Sequence, residues 1–153
     1  MEINKRIHSY KGNGGIFMKA IVCDKYGSPD VLQLKEIKKP LPAENQVLVK
    51  VHTASLNYGN LVLLKGKPFF VRLAFGLTRP KYSIPGGDIA GTVEAVGKNV
   101  LQFQTGDEVF GDLSSCGWGG FAEYVTVPES ALALKPVNIS FEEAAATPMA
   151  GTT

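Results

Sequence analysis

A glycine-rich run, PGGDIAGTVEAVG at residues 85–97, restricts the fold of this chain more than any other stretch. Glycine inside a strand costs stability, because it loses more backbone entropy than other residues and offers no side chain to pack. Four glycines among Ile, Ala, Val and Thr therefore indicate a strand that another backbone or a ligand approaches closely. We expect Gly86, Gly87 and Gly91 to serve the backbone geometry, and Gly87 to serve ligand contact as well.

Turn residues divide the rest of the chain into short segments. The 153 residues include 17 glycines and 9 prolines, which favours many short strands over long helices. Residues 46–55 alternate apolar and polar side chains, as a half-buried strand does. We predict one domain, mainly β with short helices, built as a small barrel or sandwich. The further predicted strands begin at Met18 or span residues 31–37, 85–97, 108–111 and 119–127.

Three segments depart from the strand pattern. Residues 56–66 have helix-compatible spacing and end at Gly66, a plausible helix stop. Ser140 and Glu143 fit the S-x-x-E pattern of a capping box before an alanine-rich helix. Residues 67–83 carry several large apolar side chains among basic ones, and we expect an inserted loop or short helix that lines a cleft.

The charge distribution and the apolar runs exclude several classes of function. The formal net charge of +2 comes from residues 1–17, so the rest of the chain is neutral overall. A neutral body lacks the basic surface that binds nucleic acid or an anionic membrane. No run approaches the roughly 18 apolar residues of a membrane span. The basic N terminus also lacks the apolar region of a secretory signal.

The N-terminal residues and the two cysteines indicate the setting of the protein. Residues 1–17 end in a Gly/Asn cluster, so we expect a flexible extension, either an expression remnant or an over-long start, before Met18. Cys23 and Cys116 lie far apart without C-x-x-C spacing. This spacing favours reduced thiols in a cytoplasmic protein over a disulfide.

Six motifs in a fixed order extend the argument to a known family. They are MKAIV, VLVKV, the run at 85–97, GDEVFG, GGFAEYVTVP and EEAAATPMAGTT. Together they resemble the N-terminal, GroES-like half of the medium-chain dehydrogenase/reductase superfamily over residues 18–153. The resemblance implies a partly open β-barrel, α+β in looser schemes, that forms the substrate-side, catalytic domain. It also implies that a cofactor-binding Rossmann domain, absent from this chain, completes the enzyme.

Three positions bear on whether the site holds zinc. Zinc-bearing members of the superfamily use Cys, His and Cys at positions that correspond here to Asn57, Gly87 and Met149. An amide, a hydrogen atom and a thioether are poor zinc ligands. The four-cysteine structural zinc lobe is also missing, since only Cys116 lies between Asp112 and Gly120. The resemblance therefore implies the zinc-free, quinone oxidoreductase-like branch, with no metal site.

The expected lack of zinc also indicates the substrate. Alcohol oxidation profits from a metal that lowers the pKa of the bound oxygen. Quinones and α,β-unsaturated carbonyls instead stabilise the anion formed by hydride addition through conjugation. We therefore expect NADPH-dependent reduction of such acceptors, by a protein that forms a homodimer through its Rossmann domain. The alternatives are a non-catalytic GroES-like binding module, an enoyl-thioester reductase and a relative of zinc-type alcohol dehydrogenases.

The resemblance implies candidate site residues. Asn57 stands at a former ligand position, where its amide can bond the nicotinamide ribose or the substrate carbonyl; alternatively it caps a helix. Tyr58 and Asn60 are further catalytic candidates, although the usual superfamily pattern has Asp where Asn60 stands, and an amide cannot donate a titrating proton. Asp88 either orients the cofactor or caps a local turn. Thr152 and Thr153 are candidate cofactor contacts.

The remaining aromatic and histidine residues have structural interpretations. Four aromatic residues either wall the acceptor pocket or belong to the core: Phe69, Phe70, Phe75 and Trp118. His52 lies on the outer face of a predicted strand, where we expect it to be solvated. The chain has no G-x-S-x-G motif and no His near a plausible nucleophile, so the sequence does not favour a hydrolase.

Overall fold

The computed structural model describes residues 15–151, and the predictions for residues 1–14, Thr152 and Thr153 lie outside that range. Short strands dominate the described part, as predicted. The strands are β1 Phe17–Cys23, β2 Leu32–Lys38, β3 Gln46–Ala54, β4 Asp88–Val96, β5 Glu108–Asp112, β6 Tyr124–Pro128 and β7 Ala133–Leu134. The helices are α1 Tyr58–Lys65, α2 Phe70–Phe75, α3 Phe141–Ala145 and α4 Pro148–Gly151.

The strands form two antiparallel sheets. Five strands pair in the order β6-β3-β4-β5-β7, and β1 and β2 form a separate pair. The β1 strand reaches the larger sheet through a bridge between Ala20 and Ala122, with a hydrogen bond from Ile21 N to Phe121 O at 2.8 Å. The sheets remain open, because β6 and β7 are edge strands that do not pair with each other. The predicted mainly β fold with short helices is confirmed.

Apolar side chains pack on both faces of the five-stranded sheet. On one face, valines of β3 and β4 meet the side chains that follow β5 and β6. On the other face, α3 presents Ala144 and Ala145 to Ala90 of β4. The central strands are therefore buried on both sides. The main cluster comprises Val47, Val49, Ile89, Val93, Phe103, Val109, Leu113, Val125, Val127 and Leu132.

Close backbone contacts explain the glycines of the 85–97 run. A Cβ atom on Gly91 would lie 2.1 Å from the carbonyl oxygen of Lys50 in the neighbouring strand. Gly86 has φ +102°, and a Cβ there would lie 2.6 Å from the backbone nitrogen of Phe121. The prediction that these glycines serve backbone geometry is confirmed.

Some element boundaries differ from the predicted ones. The strand predicted at 119–127 is divided, because residues before Tyr124 turn towards β1 while β6 itself pairs with β3. The first strand begins at Phe17, within the segment we assigned to the extension. The alanine-rich helix stops at Ala145 and a new helix begins at Pro148, since proline has no N–H to continue a helix.

Two predicted helix signals match the structure. Helix α1 ends at Lys65, and Gly66 follows it in the left-handed conformation. At α3 the Ser140 hydroxyl accepts a hydrogen bond from the Glu143 N–H at 3.2 Å, and the Glu143 carboxylate accepts one from the Ser140 N–H at 2.8 Å. The predicted capping box is therefore present.

Candidate functional site

Asn57 connects the end of β3 to the start of α1. Its backbone is extended, with φ −127° and ψ 176°, and its Oδ1 accepts a hydrogen bond from the N–H of Asn60 at 3.3 Å. The same oxygen accepts a second bond from Nδ2 of Asn60 at 3.0 Å. Asn57 is thus a helix N-cap, as one of the two interpretations required.

Asn60 joins α1 to the glycine-rich run. Its side chain is buried, and its Oδ1 accepts a hydrogen bond from the backbone N–H of Gly86 at 3.1 Å. Because its amide nitrogen bonds Asn57, the two ends of this amide fix the first turn of α1 against the segment that leads into β4. Asn60 is therefore part of the framework of the site.

Asp88 is a buried carboxyl beneath Asn57. It is 1% exposed, and its Oδ2 accepts hydrogen bonds from Ser55 Oγ at 3.0 Å and from Asn57 Nδ2 at 3.2 Å. Its Oδ1 makes no hydrogen bond of ordinary geometry within the described residues. The backbone N–H of Met149 nevertheless lies near the carboxyl and lowers the pKa of Asp88.

Burial raises the pKa of Asp88 above its ordinary value, because an apolar environment disfavours the charged form. The nearby charge of Asp112, its partner across β4 and β5, raises the pKa further. The hydrogen bonds from Ser55 and Asn57 lower the pKa, since they stabilise the carboxylate. Burial is the largest of these effects.

The three positions that correspond to superfamily metal ligands converge in space. Asn57 lies next to Asp88, which directly follows Gly87. A Cβ atom built on Gly87 would lie 3.0 Å from the Cε of Met149 and 3.1 Å from Cζ3 of Trp118. A Cβ on Gly59 would lie 3.1 Å from Oδ1 of Asn57 and 3.6 Å from Cη2 of Trp118. Side chains of Met149 and Trp118 therefore occupy the space beside both glycines.

This set of side chains does not fit a zinc ion. A zinc site needs thiolate, imidazole or carboxylate donors, and Asn57, Gly87 and Met149 supply none. Within residues 15–151, no group of three His, Cys, Asp or Glu side chains is placed to hold a metal. The site therefore offers amides and the buried carboxyl of Asp88, which do not make up the set of donors that zinc needs.

The predicted site residues do not all meet at this point. Tyr58 is 79% exposed, so most of its side chain faces away from the buried Asp88. His52 is exposed but does more than contact solvent, because its ring stacks on Phe141 at 4.5 Å and its Nε2 lies 3.0 Å from Thr92 Oγ1. The prediction of a merely solvated His52 is therefore incomplete.

The four aromatic residues also separate. Phe75 and Trp118 line a small apolar cavity together with Tyr26, Leu63 and Tyr82, so part of the 67–83 segment does border a cleft. Phe69 and Phe70 do not line that cavity and are 64% and 67% exposed. Their exposure contradicts the expectation that they belong to the core, and their place in the wall of the acceptor pocket stays a prediction.

Two contributors to the site were missed by the sequence reasoning. Ser55 donates to Asp88, and Gly59 makes room for Trp118 against α1. The S-x-N-x-G spacing at the end of β3 was the available signal. It could have been recognised because hydroxyl and amide side chains at a strand-to-helix junction commonly bond nearby polar groups.

Two further findings concern the setting of the chain. Cys23 and Cys116 are free thiols, as predicted, and burial raises the pKa of each. In the part of the chain that the structure describes, no helix is long and apolar enough to cross a lipid bilayer.

Comparisons with known proteins agree with the geometry. A family model described as the alcohol dehydrogenase GroES-like domain matches residues 43–137. The chain is 41% identical over 141 residues to the 2-methylene-furan-3-one reductase of Solanum lycopersicum, and equally to the chloroplastic NADPH-dependent alkenal/one oxidoreductase of Arabidopsis thaliana. These alignments cover 87% of this chain but 34% and 35% of the two relatives. The chain thus spans about a third of the length of the curated relatives it matches.

A solved structure shows the same arrangement of strands. The quinone oxidoreductase from Coxiella burnetii superimposes on this chain with a TM-score of 0.78 and 35% sequence identity. The superposition covers 89% of this chain and 42% of that one. Sequence and three-dimensional similarity therefore lead to the same group of proteins.

Proposed function

Since the chain belongs to the alcohol dehydrogenase GroES-like domain family, we propose that it is the substrate-side domain of an NADPH-dependent oxidoreductase that reduces quinones or α,β-unsaturated carbonyls without zinc. The observation that carries this proposal is the Asn57–Asp88 hydrogen bond, which lies at the position where zinc-bearing members of the superfamily have a metal ligand. The names of the relatives, an NADPH-dependent alkenal/one oxidoreductase and a furanone reductase, support the choice of acceptor.

Asn57 is the residue best placed to act on an acceptor. Its Oδ1 already accepts two hydrogen bonds, and its Nδ2 donates one of its two hydrogens to Asp88. One N–H therefore remains for a ligand, and it can only donate. Such a donor suits the oxygen of a conjugated carbonyl, where negative charge develops as hydride adds to carbon.

The other residues of the network act through Asn57. Asp88 is buried, so it positions the amide and does not reach the ligand itself. Asn60 fixes the other end of the same amide. Tyr58 is exposed next to Asn57, where its phenol can contact an acceptor ring or the cofactor. The proposed cofactor contacts are Thr152 and Thr153, and the nicotinamide ribose is the alternative partner of the free Asn57 N–H that Asp88 positions.

NADPH, when bound, supplies the hydride, and the domain orients the acceptor for it. In an enone the hydride adds to the β-carbon, the C=C electron pair forms a new double bond between the α-carbon and the carbonyl carbon, and the C=O electron pair moves to the oxygen. A proton from solvent then adds to the α-carbon, which restores the carbonyl and completes the reduction. No metal is needed, because conjugation in the acceptor and the Asn57 amide share the stabilisation of the oxygen.

The setting of the enzyme is part of the same proposal. Two free thiols, Cys23 and Cys116, fit a reducing compartment, and we place the protein in the cytoplasm. One of the relatives is chloroplastic, so a plastid location is the alternative that localisation would reveal. The rest of the enzyme would bind most of the cofactor and form the homodimer contact.

The test uses the full-length protein that contains this domain. NADPH oxidation is measured with benzoquinone, with methyl vinyl ketone and with a crotonyl thioester, before and after chelation, together with metal analysis. We expect turnover with the quinone or the enone, no effect of chelation and no bound zinc. Stoichiometric zinc with loss of activity on chelation contradicts the proposal.

The same assay separates the alternatives. A strong preference for the thioester identifies an enoyl-thioester reductase. The absence of NADPH oxidation with every acceptor, by a folded protein, favours a non-catalytic binding module. Either result replaces the proposed function.

A further inference from the structure

Trp118 has an unusual backbone conformation for a large side chain. Its φ is +61°, in the left-handed region that bulky residues avoid, and the glycines on either side have φ +116° and +109°. Such strain persists only where the surrounding structure imposes it. Here Leu113 imposes it, because its carbonyl accepts the Trp118 N–H at 2.9 Å while its own N–H bonds the Gly87 carbonyl at 2.7 Å.

The indole covers the glycines of the candidate site. Its Cζ3 lies 3.1 Å from the position that a Cβ of Gly87 would occupy, and its Cη2 lies 3.6 Å from that of Gly59. Gly87 is the residue before Asp88, and Gly59 lies in the first turn of α1 beside Asn57. One edge of the ring is thus packed directly against the Asn57 network.

The same indole lines an apolar cavity of about 30 Å³. Other walls of this cavity are formed by Leu63, Tyr82 and Phe75, the last residue of α2. The Trp118 side chain is 7% exposed, and its Nε1 has no hydrogen-bond partner within the described residues. A buried donor without a partner is rare, so the position of this ring calls for an explanation.

The size of the cavity determines what can enter it. A cavity of about 30 Å³ has room for about two water molecules, since roughly 10–15 Å³ of such space is enough for one. An alkyl chain does not fit while the indole is present. Removing the indole would join this space to the volume beside Gly87.

We propose that Trp118 sets the size limit of the acceptor, by separating the site at Asn57 and Gly87 from the apolar cavity. The inference rests on the proposed function and names its substrate class: short-chain enones and unsubstituted quinones. Acceptors with a long alkyl substituent are excluded by the indole. Trp118 is therefore a specificity-determining residue.

The experiment compares acceptors of two lengths in the full-length enzyme. kcat/KM is measured for methyl vinyl ketone and for pentyl vinyl ketone, in wild type, Trp118→Phe and Trp118→Ala. We expect the long-to-short ratio of kcat/KM to rise at least about tenfold in Trp118→Ala, since one well-placed methylene changes kcat/KM by roughly tenfold or more. Trp118→Phe should give a smaller rise, and it keeps the test valid if the alanine variant does not fold.

Leu63→Ala is the matched control. It enlarges the same cavity from the side of α1 but leaves the indole against Gly87. We expect its ratio to stay within about twofold of wild type, because the separation is intact. An equal rise in Leu63→Ala, or an unchanged ratio in both Trp118 variants, overturns the proposal.

A binding measurement keeps the inference separate from the proposed function. Ethyl pentyl ketone, which is saturated and not reduced as an enone, is titrated calorimetrically into wild type and the Trp118 and Leu63 variants. Tighter binding by Trp118→Ala alone supports the size limit even if no acceptor is turned over. If wild type reduces neither the enones nor benzoquinone, the proposed function fails, whereas equal affinities for the saturated ketone in all variants overturn the size limit.

Discussion

Asn57 and Asp88 are joined by a hydrogen bond of 3.2 Å from Nδ2 to Oδ2, which connects the N-cap of α1 to the first residue of β4. The amide that caps the helix is therefore also the donor to a buried carboxyl. Its two tasks, capping and donation, can be separated by substitution.

Replacing Asn57 tests which task matters for stability and which for catalysis. Asn57→Ser keeps a good N-cap and Asn57→Ala does not, so we expect the alanine variant to lose about 0.5–2 kcal/mol more in free energy of unfolding. Both lack the amide donor, so kcat should fall by about a hundredfold or more in each. Urea unfolding and NADPH oxidation measure the two effects. Full activity in Asn57→Ser would exclude the amide from the reaction.

The pKa of Asp88 gives a pH dependence with a definite sign. Because burial raises the pKa of Asp88 in the folded state above its ordinary value, the folded state binds the proton more tightly than the unfolded state. This contribution to stability is present below the unfolded pKa and is lost as the pH rises through the folded pKa. Asp88→Asn removes the titrating group. As the pH rises across that window, the free energy of unfolding of wild type should therefore fall relative to that of Asp88→Asn.

Ser55→Ala provides the companion measurement. It removes a hydrogen bond that lowers the pKa of Asp88 in the folded state, so the upper limit of the window should move to higher pH while the lower limit, set by the unfolded state, stays. Urea unfolding at a series of pH values follows both variants. Wild type and Asp88→Asn profiles that run parallel over the whole range would contradict the assignment.

The contact at Gly91 predicts a large effect of a single methyl group. Gly91→Ala would place Cβ 2.1 Å from the Lys50 carbonyl oxygen, so β3 and β4 would have to separate. We expect a loss of at least about 1–3 kcal/mol in free energy of unfolding. Gly151→Ala is the control, because its Cβ makes an ordinary contact of 3.6 Å with Thr147. An unchanged free energy of unfolding in Gly91→Ala would show that the sheet adapts locally.

The capping box of α3 can be tested in the same way. Ser140→Ala removes the hydroxyl that accepts the Glu143 N–H, which should cost about 0.5–2 kcal/mol. The exposed Ser115→Ala is the matched control and should be neutral. Thermal unfolding compares the two, and equal melting temperatures would mean that α3 is held by the packing of Ala144 and Ala145 alone.

Local patterns were sufficient to predict much of the fold. The stop at Gly66 and the Ser140–Glu143 box depend on neighbouring residues, and both match the structure. The alternation in residues 46–55 predicted the strand β3 but not its burial on both faces, where Val47, Leu48 and Val49 are all buried. The division of the 119–127 strand could not be predicted, because it depends on β1, about a hundred residues earlier, bonding at Phe121.

The site was predictable in part. The motif resemblance singled out Asn57, Gly87 and Met149, and the structure brings them together. Whether Tyr58 points inward or outward depends on the rotation of α1, which the Asn60 bond to Gly86 determines. A local pattern does not contain that long-range contact. The same holds for Trp118, whose position depends on Leu113 and Gly87.

Trp118 is the single tryptophan of the 153 residues. Ultraviolet light absorbed by indole in this domain is therefore re-emitted from one known spot, against Gly87 and Gly59. The wavelength of maximum emission reports whether the indole, now 7% exposed, is in contact with water. The domain thus contains its own optical label, and the arrival of a molecule beside Asn57 can be followed in real time without attaching a dye.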